Sequence, residues 1–197
     1  MQEKGAREKG AQGKGDRSRT RILEAASRLI YVQGFWRASF ADIAQEIGIA
    51  KGNLYYHFKT KDELLLAIID QRLEFFQGEL EAWEEECSGP RERLKRFLRM
   101  VLGNEKELVR FGCPIGSLTT ELGKDPDAPL REMRALFDLF LKWLEREFRT
   151  LGVCDPGGNS RHLLAMAEGA ALLAHAYGDG KILRRELEFM EGWLDSL

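Results

Sequence analysis

The chain has 197 residues, of which 44% are hydrophobic and 31% charged, with a formal net charge of -2. That length supports one or two domains with a buried core, and the apolar fraction is too high for a disordered chain. No apolar run is long enough for a membrane-spanning helix, and the opening MQEKGAREKGAQGKGDR offers none for a secretory signal. A soluble, cytoplasmic protein is therefore expected. Cys87, Cys113 and Cys154 lie too far apart for a disulfide framework or a CxxC zinc site, and His57, His162 and His175 show no HxxH spacing. Neither a metal nor a cofactor is expected.

The mean charge hides a division. Residues 1–66 hold 12 Lys+Arg against 8 Asp+Glu, a net of +4, and residues 67–197 hold 18 against 24, a net of -6. A basic first third and an acidic remainder suggest that only the N-terminal part meets a polyanion. Residues 1–17 are low in complexity, with EKGA at 3–6 and again at 8–11. This segment reads as a mobile tail, either inert or an arm that touches DNA.

From Ser18 the apolar spacing is helical almost throughout, and the fold class is all-α. Ile22, Ala25, Ala26, Leu29 and Ile30 form one stripe, and Gly34 closes that helix. Short helices are predicted at about 40–47 and 51–57. A long helix starts at Lys61, marked by the Thr60/Glu63 capping box, and runs to the break at Ser88-Gly-Pro90. Leu94, Phe97, Leu98, Val101 and Leu102 give the next core face. Residues 112–129 are broken by Gly and Pro, with a short helix around 116–122. Met133 to Leu151 is a second long helix, and two more follow at about 159–177 and 181–195, after the turn at Asp155-Pro-Gly-Gly-Asn. This divides the chain into a tail (1–17), a first helical part (18–60) and a second (61–197).

The informative segment is SFADIAQEIGIAKGNLYYHFKTK, residues 39–61. Ser39 caps the first short helix and Asp42 returns the bond. Phe40, Ile43, Ala44 and Ile47 face inward, and Gly48 permits a turn at positive φ. The second helix has only Leu54 and Phe58 as anchors and is too short to stand alone. What remains on it is Lys51, Gly52, Asn53, Tyr55, Tyr56 and His57. Two short helices locked by a glycine turn, the second presenting donors, is helix-turn-helix geometry, and a helix fits the DNA major groove. Lys51 reaches guanine acceptors and Gly52 lets the backbone approach. Tyr55, Tyr56, His57 and Lys61 donate to phosphates. The competing reading is a surface helix with Tyr55 and Tyr56 partly in the core.

TRILEAASRLI at 20–30 followed by FADIAQEIGIAKGNLYYHFKTKDELL at 40–65 resembles the tetracycline-repressor (TetR) family of bacterial one-component regulators. The KGNLYYHFKTK run is especially similar to the QacR-type multidrug-binding repressors. The resemblance implies that Lys51 and Gly52 lie at base edges and that Tyr55, Tyr56, His57 and Lys61 contact phosphates, with Asn53 and Ser39 nearby. It also implies that residues 18–60 bind DNA and residues 61–197 bind ligand and dimerise, with a two-fold dimer on a palindromic double-stranded operator and an unidentified small-molecule effector. One departure is Ala50, where many members carry a Ser or Thr cap.

Leu163–Ala176 is apolar all round except Glu168 and His175, and its small residues allow close helix approach. Leu163, Ala167, Ala170, Ala171 and Ala174, with Leu183, Leu187, Met190 and Leu194, are expected to form an intersubunit four-helix bundle rather than an intramolecular core. Candidates to line an effector pocket, or simply the core, are Phe97, Met100, Val101, Phe137, Phe140, Leu141, Trp143, Met166 and His175. Glu168 and His175 are buried polar candidates that need partners. Cys113, in FGCPIGS at a helix break, is either an inert buried thiol or a reactive one whose pKa a free N–H group lowers.

Three functions follow: a repressor released from DNA by a small molecule, a repressor answering to thiol oxidation at Cys113, or a helical enzyme or carrier with an incidental basic end. No nucleophile–base pair, phosphate loop or metal spacing supports the last.

Overall fold

A computed structural model describes residues 2–125 and 128–197, with side chains from Arg17 onward. Among these residues the chain is all-α. The helices are α1 (Gln2–Gln33), α2 (Phe40–Ile47), α3 (Lys51–His57), α4 (Lys61–Glu86), α5 (Pro90–Gly103), α6 (Glu105–Phe111), α7 (Pro114–Leu122), α8 (Leu130–Leu151), α9 (Pro156–Tyr177) and α10 (Gly180–Ser196).

Two of these differ from the sequence expectation. The backbone of α1 continues back to Gln2, through the segment read as a tail. Between its glycines that segment holds Glu, Lys, Arg, Gln and Ala, all good helix formers. The other difference is α6, seven residues with Leu108 as the single buried anchor and no side-chain cap at Asn104. One anchor is too little for an apolar period to register.

The chain divides into two compact units, Met1–Asp70 and Gln71–Leu197. The boundary lies inside α4 rather than at its start, because Leu64, Leu65, Ile68 and Ile69 on its first turns are buried. The core of the first unit joins these to Ile22 and Ala26 of α1, Ile43 of α2 and Leu54 of α3. In the second unit α9 packs on α8, α10 and α6, and α5 packs on α8 and α10. Its centre holds Leu94 and Phe97, Leu144 and Phe148, Leu163 and Ala174, and Leu183 and Leu194. Burying a side chain such as Phe148 contributes about 1.5–3 kcal/mol. Glu147, 1% exposed, accepts from Arg93 Nη1 at 2.8 Å, tying α5 to α8 inside this core.

Candidate nucleic-acid interface

The α2–α3 corner is built by local chemistry. Ser39 holds extended backbone, and its hydroxyl accepts from the Asp42 N–H at 3.2 Å. Asp42 Oδ2 accepts from the Ser39 N–H at 2.9 Å and the Ser39 hydroxyl at 2.6 Å. The Ser39 hydroxyl first, and then its backbone N–H, hold the Asp42 carboxyl below its usual range. Gly48 adopts φ 67°, and its N–H returns to Gln45 at 3.2 Å, which turns the chain. Ala50 begins α3 without a side-chain cap.

On α3 the buried residue is Leu54, with Phe58 buried just beyond the helix. Lys51, Gly52, Asn53, Tyr55 and Tyr56 are exposed, and His57 is half-buried. Tyr56 is 78% exposed, so it is not a core residue. Tyr55 is outward as well, but its ring packs against Phe40 of α2, with 5.0 Å between ring centres. Lys51 Nζ lies 5.7 Å from the Tyr55 ring centre. Lys59 Nζ donates to the Tyr55 carbonyl at 2.8 Å, which satisfies an open carbonyl near the end of α3.

Lys61 behaves differently from its expected role. Its ammonium donates to the Phe35 carbonyl and lies 4.4 Å over the Phe35 ring. It is thereby turned to the α1–α2 loop rather than outward beside Tyr56. The Thr60 hydroxyl accepts from the Glu63 N–H at 3.1 Å as the sequence predicts, but Glu63 returns to the Lys59 N–H at 2.7 Å.

In the second unit, the residues expected at a dimer interface are covered by the chain itself. Leu163, Ala174, Leu183 and Leu194 are fully buried, and Ala167, Ala170, Ala171, Leu187 and Met190 nearly so. They form the contact of α9 with α8, α10 and α6, an intramolecular core. The expectation misjudged the face because a run of small apolar residues has no polar stripe to mark the outside. On α9 and α10 the outward large apolar residues are Leu172 (64% exposed), Leu173, Tyr177 and Phe189.

Of the candidate pocket residues, Phe97, Phe140 and Trp143 are buried, and Met100, Val101, Phe137, Leu141 and Met166 are half-buried. Phe140 contacts both Phe97 and Phe76, at 5.7 and 5.0 Å between ring centres, so Phe76 of α4 belongs to this cluster although its place in the sequence does not show it. Trp143 packs edge-on to Trp83. His175 is not buried: it is exposed, and its Nδ1 lies 3.0 Å from the Val109 carbonyl. Cys113 caps α7, accepting from the Gly116 N–H at 3.4 Å, and its thiol donates to Glu168 Oε1 at 3.1 Å. Burial, reinforced by the Glu168 carboxylate, pushes the thiol up to about 12. This is opposite to the lowering expected of a reactive cysteine.

The comparisons agree with this architecture. The profile of bacterial regulatory proteins of the tetR family matches residues 22–68. The HTH-type transcriptional regulator LmrA of Bacillus subtilis is 31% identical over 171 residues, covering 80% of this chain and 86% of that protein. QacR of Staphylococcus aureus is 31% identical over 85 residues, covering 43% of this chain and 45% of that protein. A TetR-family regulator from Agrobacterium tumefaciens superposes with a TM-score of 0.81 over 90% of this chain and 97% of its own; at 24% identity this speaks to the fold. Among the described residues no helix is long and apolar enough to cross a membrane. A helix-turn-helix held by a capped α2 and a glycine turn, followed by an all-helical second unit, thus goes with a matching family profile and a relative alike over most of its length, and the chain belongs to the TetR family of DNA-binding transcriptional regulators, which are not enzymes.

Proposed function

We propose that this regulator is a dimeric repressor, released from a palindromic operator by a small-molecule effector. The observation that carries the reading is the division of α3, with Leu54 inward and Lys51, Gly52, Asn53, Tyr55 and Tyr56 outward on a helix short enough to enter a major groove. Lys51 and Gly52 meet base edges. Tyr55, Tyr56 and His57 meet phosphates, and Asn53 and Ser39 lie at the margin of the contact. Such a protein works in the bacterial cytoplasm, where operator DNA is.

One α3 reads only a few base pairs, and two copies one helical turn apart multiply the contacts. The second copy is presented by α9 and α10. Leu172, Leu173 and Tyr177 on one, with Phe189 on the other, leave apolar area in water that a like surface would cover. The effector is accommodated near the Phe76, Phe97 and Phe140 rings of the second unit. α4 carries residues of both units, so a shift in its second half is transmitted along one continuous helix. By linkage, an effector that weakens DNA binding is itself bound less tightly when DNA is present. The narrower likeness to QacR-type repressors rests on KGNLYYHFKTK and on a match over less than half of either chain.

The test is to footprint the purified protein on the DNA flanking its own gene, with Lys51→Ala and Tyr56→Phe alongside. Lys51→Ala is expected to lose sequence discrimination by about 1–3 kcal/mol, and Tyr56→Phe to weaken all sequences alike. Wild-type footprints from both variants would overturn the assignment.

A further inference from the structure

We propose that Arg37, on the loop entering α2, is a further contact to the DNA backbone, its guanidinium binding a phosphate beside the one reached from α3. Lys61 is the positioning residue that holds this loop. The inference rests on the reading of α3 given above.

The loop has two inward and two outward residues. Gly34 turns the chain out of α1 at φ 87°, Phe35 and Ala38 are buried, and Trp36 (56% exposed) and Arg37 face solvent. Its place is set from both ends. Lys61 grips the Phe35 carbonyl and ring, and Phe40, one residue past the Ser39 cap, packs against Tyr55. The outward edge of the loop therefore leads directly into the end of α2 that lies beside the exposed aromatic face of α3.

The other cations of residues 19–61 are engaged within the chain. Arg19 lies 5.2 Å from the Phe58 ring centre, Arg21 donates to the Ile47 carbonyl at 2.9 Å, and Arg28 pairs with Glu46. Lys51 lies over Tyr55, Lys59 closes α3, and Lys61 holds Phe35. Among the described residues nothing is bonded to the Arg37 guanidinium. A guanidinium offers a planar fork of donors that matches two phosphate oxygens, and at this edge it touches the backbone without reading a base. An arginine that is merely solvated would change nothing when removed.

The experiment measures affinity of the full-length protein for a labelled duplex carrying the DNA that flanks its own gene, and for a scrambled duplex, across a salt series. Each neutralised phosphate adds about 0.9 to the slope of log K against log salt, so Arg37→Ala in a two-fold dimer is expected to lower it by about 1.8. Affinity should fall equally on both duplexes, and Arg37→Lys should restore most of the slope. In a Lys61→Met background, Arg37→Ala should lose less, because the loop is already released. A wild-type slope and affinity for Arg37→Ala, while Lys51→Ala still loses discrimination, would overturn this inference and leave the reading of α3 standing. No salt-dependent binding by the wild-type protein would overturn both.

Discussion

The Cys113 thiol donates to Glu168 Oε1 at 3.1 Å, joining the start of α7 to the middle of α9. The pair determines what this cysteine can do. Burial first, and the nearby carboxylate second, outweigh the Gly116 N–H that favours a thiolate. The folded pKa of about 12 lies above the unconstrained 9.0, so the folded state keeps the proton. This group's contribution to stability is whole below pH 9.0 and is lost as the pH climbs toward about 12. Cys113→Ser is expected to flatten the alkaline fall in Tm. Alkylation at pH 8, followed by peptide mass spectrometry, should label the exposed Cys154 before Cys113. Faster labelling of Cys113 would revive a thiol-responsive repressor.

Ser39→Ala removes the hydroxyl that opens α2. The expected loss is about 0.5–2 kcal/mol, read as a lower midpoint in urea. Asp42 has a depressed pKa, so its part in the box is present above the unfolded value and is lost as pH falls through the folded one. The difference between variant and wild type should therefore shrink in acid. A constant difference down to pH 2 would show that the reciprocal bond contributes nothing.

Glu147 is 1% exposed and neutralises Arg93, whose side chain is 21% exposed, with Arg146 Nη2 at 3.2 Å on its other oxygen. Arg93 Nε is buried and has no acceptor among the described residues, so Glu147 supplies that guanidinium with its bond. Glu147→Ala leaves the part-buried Arg93 cation without this partner. We expect a loss near the lower end of the about 3–5 kcal/mol seen when one partner of a buried pair is removed. Denaturant unfolding monitored by tryptophan fluorescence checks this, since Trp83 and Trp143 lie in the same unit.

Phe189→Glu and Leu172→Glu place charge on outward residues and should yield a monomer by sedimentation, with Tm changed chiefly through the lost association. Leu163→Ala should do the reverse. It empties a fully buried site, destabilises by about 2–5 kcal/mol and leaves the oligomeric state as it was. A monomer from Leu163→Ala together with a dimer from Phe189→Glu would mean that the outward stripe is not the interface.

The amino-acid sequence by itself determined whatever depends on neighbours within about four residues. The α2 cap, the positive φ of Gly48, the extent of α3 and the start of α4 follow from local bonds and were legible, as was the split between Leu54 and the polar face around it. Tertiary structure alone decided which side of a uniformly apolar helix is inside. Ala167, Ala170 and Ala174 are buried and Leu172 faces out, although all four are apolar. It also decided where long side chains end. Lys61 reaches back 26 positions to Phe35, and Cys113 is buried against a carboxylate 55 positions away, which decides between an inert and a reactive thiol in favour of the inert one. Periodicity carries the direction of a helix face only where polarity alternates, and a charge's partner is known only once distant segments have packed.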